Sequence, residues 1–530
     1  MRERLLFGLL IAALGVSIIW LGIDRSAEPL VALITVLVAL VSLGPGRREG
    51  IDRDTPPTDV TARKRLAVLP LRNIAETADR EYFAAGLTEE LISVLSRVRD
   101  LELIASSSSA RYKDPSPPIL DIGRELNVGA VLHGSVRSDR DDLRVSMRLV
   151  DSSSERLLWS QDYDRKLEAV FSVQHDIAVS VAAALRVTMN QSERARVGEA
   201  PTADLEAYDL YLLARHDLNA RTEARLLRSI DRFHAALARD PSFAAAHAGI
   251  ADAYVLATIG YAPIPLDIAV PAARAAVARA LEAQDTLADA HTSLGWILMN
   301  FDRDWEGAKA AFERALALNP SDSRAYQWLA QCHSYQGRPE EAINYVQQAL
   351  KLDPRSPLIS TEAGWPYLYL GRWDEAEFHF KSALALDPGF ALAHFNLGSV
   401  LETRGDLEGA LTKYQEAASL SGDVPMFRAF VARVQGLLGR LDQARTSLRR
   451  VMDDAESGAP LSVFVAHALE GIGATEEAMD WLERGLANDE MMILAIGSTW
   501  LPFNRLRDSP RYEAILHRIP LGTLARPLTG

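Results

Sequence analysis

"FERALALNPSDSRAYQWLAQCHSYQGRPEEAINYVQQALKLDP", residues 312–354, opens and closes on nearly the same phrase, and ALALDP, ending at residue 388, is a third copy. Pro320, Pro354 and Pro388 stand 34 apart. Ala315, Ala349 and Ala383 recur at that interval, as do Ala308, Ala342, Ala376 and Ala410. Phe312, Val346, Phe380 and Tyr414 form a bulky column. The physical reading is a repeated pair of helices. Small residues let the two cross closely, the bulky residue fills the gap, and proline stops the second helix. Carried outward, the register gives about eight units over 205–495. They run from about 210–243 through 244–288, 289–322, 323–356, 357–390, 391–424 and 425–458 to 459–492. GYAPIPLDIAVP stretches the second unit, and the last two keep Ala444 and Ala478 but lose the proline. WLPFNRLRDSPRYEAILHRI (500–519) reads as a terminal cap within the closing segment 496–530.

A period of 34 with these columns resembles the tetratricopeptide repeat. The resemblance implies a right-handed α-solenoid whose inner wall is lined by the first helix of each repeat. Carried over column by column, it places Trp296, Gln327, Gln331, Thr361, Trp365, Phe395 and Ser399 on the groove. Two tryptophans and a phenylalanine among amides suit an extended peptide or a helix, since aromatic anchors dominate such contacts. The competing reading is that Trp296 and Trp365 pack between adjacent repeats. The two-carboxylate clamp and the usual basic set for a peptide carboxylate are not evident in the columns.

Ahead of the repeats, residues 64–190 alternate between strand and helix patterns. Arg65 to Leu71 and Leu101 to Ala105 read as strands, and Arg80 to Val98 as a helix with Phe83, Leu87, Leu91, Val94 and Leu95 on one face. Ile119 to Leu126 reads as a short helix. Ala130 to Arg137, Leu143 to Asp151 and Glu155 to Tyr163 read as strands joined by hairpin turns at 138–142 and 151–154. A helix from Leu167 to about Leu185 closes a small α/β sandwich. The strand–loop–helix order after Leu66 is also that of a phosphate site, but the loop has no glycine, and Glu89 with Glu90 would repel phosphate. Thr88 to Glu90 is an alternative helix start. Ser106–Ser109 reads as a turn or strand end, with no His–Asp pair to activate a nucleophile. Asp139, Asp141 and Asp142 fit a hairpin tip neutralised by Arg137, Arg140 and Arg144, and His175 with Asp176 lacks further metal ligands.

Four motifs here, LAVLPLRN, EYFAAGLTEELISVLSRV, DIGRELNVGAVLHGSVR and LVDSSSERLLWSQDYDR, resemble the TolB amino-terminal-like, or FlgO-type, domain of bacterial signalling proteins. In that family the domain commonly precedes tetratricopeptide repeats, as in adenylate-cyclase and CadC-like proteins. A winged-helix, cyclase or kinase head usually stands in front of it. Here only apolar sequence precedes it, so the resemblance implies no catalytic residue and no DNA-binding head.

That apolar sequence is residues 1–46, read as a transmembrane helical hairpin with runs at about 5–23 and 27–45. Arg2, Arg4, Arg47, Arg48 and Arg53 flank the outer ends, which favours both ends in the cytoplasm of a bacterial inner-membrane protein. Residues 47–63 are a linker. A periplasmic placement of the soluble parts is the alternative. The net charge of −14 opposes a general nucleic-acid surface, and the single cysteine, Cys332, opposes a disulfide framework or thiolate metal cluster. The expectation is a mainly α protein: hairpin, small α/β domain and solenoid. It is expected to work as a membrane-anchored scaffold for protein or peptide partners, with no catalysis, cofactor, metal or small-molecule substrate of its own. A regulatory component related to adenylate cyclases or CadC-type regulators, and a periplasmic envelope-assembly factor, are the alternatives.

Overall fold

The computed structural model describes residues 64–519, less the stretches 75–80, 114–116, 140–141, 260–261, 263, 489, 491, 494–495 and 497–502. The apolar runs 5–23 and 27–45, the linker 47–63 and the tail beyond 519 lie outside the described residues.

The front domain is a mixed sheet in the order β3-β1-β4-β5-β6, with β2 paired to β4. The strands are β1 (Arg65–Val68), β2 (Arg72–Asn73), β3 (Glu102–Leu103), β4 (Ala130–Asp139), β5 (Asp142–Asp151) and β6 (Leu157–Lys166). The expected first strand is split around Pro70, which has no N–H to give a ladder. β1 pairs parallel with β3 and β4, while β4, β5 and β6 form an antiparallel meander. In β5, Leu143, Val145, Met147 and Leu149 are buried on one face between more exposed neighbours. Helices Glu81–Ser96 and Val170–Ala184 cover that face, and Ile119–Leu126 packs on the other against Ala67, Leu69 and Val131. Leu167–Ala184 is apolar and long enough to cross a membrane. It lies instead on the sheet, burying Val170, Val173, Ile177 and Val181. The helix at 81 runs unbroken through Thr88, so the alternative start there is not used. Thr88 instead turns its hydroxyl to the Leu71 amide, accepting at 3.0 Å.

Behind the sheet domain, antiparallel helix pairs run from Leu205–Asn219 with Glu223–Arg239 to Ser462–Ile472 with Thr475–Ala487. Helices ending at Leu318, Leu352 and Leu386 stop just before Pro320, Pro354 and Pro388. A Cβ on Gly295, Gly364 or Gly398 would come within 2.5 Å of Phe312, 2.4 Å of Phe380 and 2.7 Å of Tyr414. Glycine is what lets each ring lie against the facing helix. Ala315, Ala349 and Ala383 are fully buried at the same crossings.

Sheet domain and helix pairs form one compact unit. A single apolar core runs from Leu66 through the sheet and the first pairs to Cys332. A second runs from Tyr367 to Ile519. Between them lies a small cluster of Ala330, Ala342, Val346 and Ala363. The outer edge of β3 is satisfied by the repeats: Leu103 N–H donates to Ser321 Oγ at 2.9 Å, and Ala105 N–H to the Leu352 carbonyl at 2.8 Å. This removes the open ladder that an edge strand would present. Ser106–Ser109, expected as a turn or strand end, is a short helix held against the repeats by Asp353.

Candidate functional site

The first pairs already hold the chain's own sheet domain. Tyr211 Oη donates to Glu90 at 3.0 Å and Tyr82 Oη to Asp209 at 3.0 Å, joining Leu205–Asn219 to Glu81–Ser96. Burial raises the Glu89 and Glu90 carboxyls, and nearby Arg215 partly offsets it. Arg215 meets Asp289 at 3.5 Å, and Arg324 bridges Asp252 at 3.1 Å and Asp289 at 3.7 Å. Over this part of the solenoid, first-helix side chains are engaged within the molecule.

The structure divides the residues that the repeat columns placed on the groove. Trp296, Thr361, Phe395 and Ser399 are buried, which corrects their expected placement on an open wall. Trp296 leans on Trp328 with centroids 4.7 Å apart and donates Nε1–H to Thr258 at 3.2 Å. Phe395 sits among Tyr414, Phe427 and Phe430 at 4.7–5.5 Å. Ser399 accepts from Tyr414 Oη at 3.2 Å, and the Thr361 hydroxyl donates to the Pro357 carbonyl at 2.8 Å. Around Trp296, Phe395 and Ser399 an adjacent helix covers a position that the register alone presents as facing inward.

Gln327, Gln331 and Trp365 do come together. They line one narrow cleft with Ala330, Ser334, Val346, Glu362, Pro366 and Tyr369, at the seam between the two large cores. Its origin is local. Pro366 lacks the N–H that would reach the Glu362 carbonyl, and the helix divides into Pro357–Glu362 and Trp365–Tyr369. Gln331 Nε2–H donates to Tyr335 Oη at 2.8 Å, and Trp365 meets Tyr369 edge-on at 6.2 Å. Glu362 is half-buried. With no cation beside it among the described residues, burial pushes its carboxyl up to about 7. Burial, then the Glu362 carboxylate, raises the Tyr335 phenol, and burial with Tyr335 and Glu362 raises Tyr369.

Further along, a cavity of about 310 Å³ is lined by Trp373, Glu402, Thr403, Arg433, Glu470, Arg505 and neighbours. Arg433 Nε donates to Glu402 at 2.8 Å, and its Nη1 pairs with Glu470 and the His467 carbonyl. Column reading missed Glu362 and Arg433, although Arg433 stands 34 beyond Ser399 in the same column. The signal for Glu362 was the proline four residues later. Cys332 is buried in the core, and burial pushes its thiol up to about 12, unsuited to nucleophilic work. Among the described residues no group of three or more His, Cys, Asp or Glu is placed to hold a metal ion.

Two tetratricopeptide-repeat family models match residues 302–361 and 361–425, and the model of the HilA/YgeH-like transcriptional regulator, second domain, matches residues 62–180. A Rhizobium meliloti (strain 1021) protein described as "Putative adenylate cyclase 3" is 36% identical over 195 residues. That stretch is 37% of this chain and 33% of the relative, so the match spans about a third of the relative's length. Among solved structures, the thermophilic tetratricopeptide protein TTC0263 of Thermus thermophilus is 27% identical with a TM-score of 0.32, covering 34% of this chain and 98% of its own. YrrB, described as a tetratricopeptide protein with an unusual peptide-binding site, is 24% identical with a TM-score of 0.26, covering 36% and 93%. Residues 302–425 are therefore tetratricopeptide repeats, and they stand behind a sheet domain similar to the second domain of HilA/YgeH-like regulators.

Proposed function

We propose that the chain is a membrane-anchored scaffold that holds an extended segment of a protein partner in its repeats and performs no catalysis itself. The observation that carries this reading is the convergence of Gln327, Gln331 and Trp365 on one cleft. Amides can pair with a strand-like backbone while the indole anchors a side chain. The four motifs of residues 64–190 support a TolB amino-terminal-like, FlgO-type domain, and the apolar runs 5–23 and 27–45 support an inner-membrane hairpin with the soluble parts in the cytoplasm. A photo-crosslinking residue replacing Gln327 in native membranes should trap a partner protein, whereas one replacing Phe378, which is 64% exposed on Trp373–Leu386, should not. Equal trapping from both positions, or none from Gln327, removes the reading. An export-dependent reporter fused after Gly530 should stay inactive; strong activity would place the soluble parts in the periplasm and favour an envelope-assembly role.

The similarity to the "Putative adenylate cyclase 3" favours a second reading, a regulatory component related to cyclases. Cyclic AMP formation by the purified full chain would decide for it.

A further inference from the structure

We propose that the cleft at Glu362 receives a cationic side chain, lysine or arginine, of the partner segment, with the Glu362 carboxylate as its counter-ion; this deepens the groove reading above and rests on it. The first ground is charge. Several carboxylates of the helix pairs have their cations: Asp217 meets Arg225 and Arg232, Asp252 meets Arg324, Glu377 meets Lys381 and Arg404, and Glu402 and Glu470 share Arg433, while Asp353 and Glu490 are held by serine hydroxyls. Glu362, half-buried in a cleft, has no ion pair or hydrogen-bond partner of its own among the described residues. A carboxylate withdrawn from water without a partner is costly, and a cation entering from outside relieves that cost.

The second ground is the wall. Trp365 and Tyr369 bring two rings beside the carboxylate, and the Gln331 amide fixes the Tyr335 hydroxyl at 2.8 Å. Rings next to a carboxylate favour an ammonium or guanidinium, which draws on the ring faces and on the charge together. An acidic side chain would meet repulsion there. An apolar one would leave Glu362 desolvated and unpaired. The third ground is the rim: Gln327 and Gln331, both half-buried, present their amides to the cleft for the backbone of the segment.

The test uses the full chain, solubilised in detergent and immobilised. It is challenged with mixtures of N-acetylated, C-amidated decapeptides, each mixture fixing one residue at the centre. Lysine- and arginine-fixed mixtures should be retained at least about fivefold over aspartate-, glutamate- and norleucine-fixed ones, in line with a charge-assisted contact. Glu362→Gln, nearly the same in shape, should bring that ratio to about one. Glu477→Gln, which removes an exposed charge elsewhere, should leave it intact and so account for the net charge of −14. A ratio that survives Glu362→Gln, or a preference for acidic or apolar mixtures, overturns the proposal. If apolar mixtures are held and Gln331→Ala with Trp365→Ala abolishes their retention, the groove reading stands and this inference alone fails. If nothing is retained over the bare support, both fail together.

Discussion

Ser108 Oγ lies 2.5 Å from Asp353 Oδ1, although 245 residues separate the two in sequence. Ser107 donates to the other carboxylate oxygen at 2.6 Å, and the Arg355 amide donates to Ser108 Oγ at 2.9 Å. Asp353, at the loop that follows Pro339–Leu352, thereby ties the repeats to the short helix beyond β3. Asp353→Ala should cost about 1–3 kcal/mol, because the buried Ser108 hydroxyl loses its acceptor. Asparagine at 353 keeps one acceptor and should cost less. Chemical unfolding gives the energies, and faster amide exchange at Leu103 and Ala105 should accompany Asp353→Ala. An unchanged midpoint would show that the apolar core alone joins the domains.

Gly364 is required by Phe380. The added Cβ of Gly364→Ala would lie 2.4 Å from the ring, so the substitution should cost about 1–3 kcal/mol by overpacking. Trimming the ring in the Gly364→Ala, Phe380→Leu pair should cost less than the sum of the two single changes. Strict additivity would mean that the two side chains do not meet. Ala383→Glu, at a fully buried crossing, should be harsher still and cost several kcal/mol, about 3 or more.

Arg433 holds two acids, and removing it should be worse than removing most surface charges. Arg433→Ala leaves Glu470, which is buried, and Glu402, which is half-buried, without their cation and should cost about 3–5 kcal/mol, whereas methionine keeps the packing and should cost less. Thermal melts of the two variants, side by side, decide between charge and shape.

Glu362 should make stability depend on pH. Its carboxyl in the folded chain titrates near 7, above the ordinary value of 4.5. The folded state therefore binds the proton more tightly. The contribution is fully present below about 4.5 and is lost as pH rises through about 7. Tyr335 and Tyr369, both pushed up, stay neutral across this window. Glu362→Gln should thus be more stable than the parent at about pH 8.5, by about 1–3 kcal/mol, and nearly equal to it at about pH 4.5. Urea midpoints at the two pH values measure this, and a pH-independent difference would contradict it.

The helical architecture was legible because each pair repeats one local problem: a glycine or alanine facing a bulky residue, and a proline at the stop. The sheet was legible where alternation was regular, as in β5. Ser106–Ser109 was not, because the short helix there is held by Asp353, far along the chain. Of the residues that the columns placed on a groove, Gln327, Gln331 and Trp365 share a cleft. A column states where a residue sits on its helix, but Phe395 is covered by Phe427 and Phe430 from the next pair, which no single repeat announces. Glu362 escaped notice because its character comes from a missing partner rather than from a motif.

The continuous core from Leu66 to Cys332 bears on how such a chain can change over generations. In an ordinary solenoid a repeat is an interchangeable tile, and duplication or deletion leaves the neighbours nearly untouched. Here the first pairs are matched individually to the sheet domain, through Tyr211, Ser321, Leu352 and Asp353, so losing one would shift every later pair out of alignment with its contact. Past the seam at Ala363 no such hydrogen bond to the sheet domain is made among the described residues, so lengthening or shortening of the array at that end leaves these contacts in register.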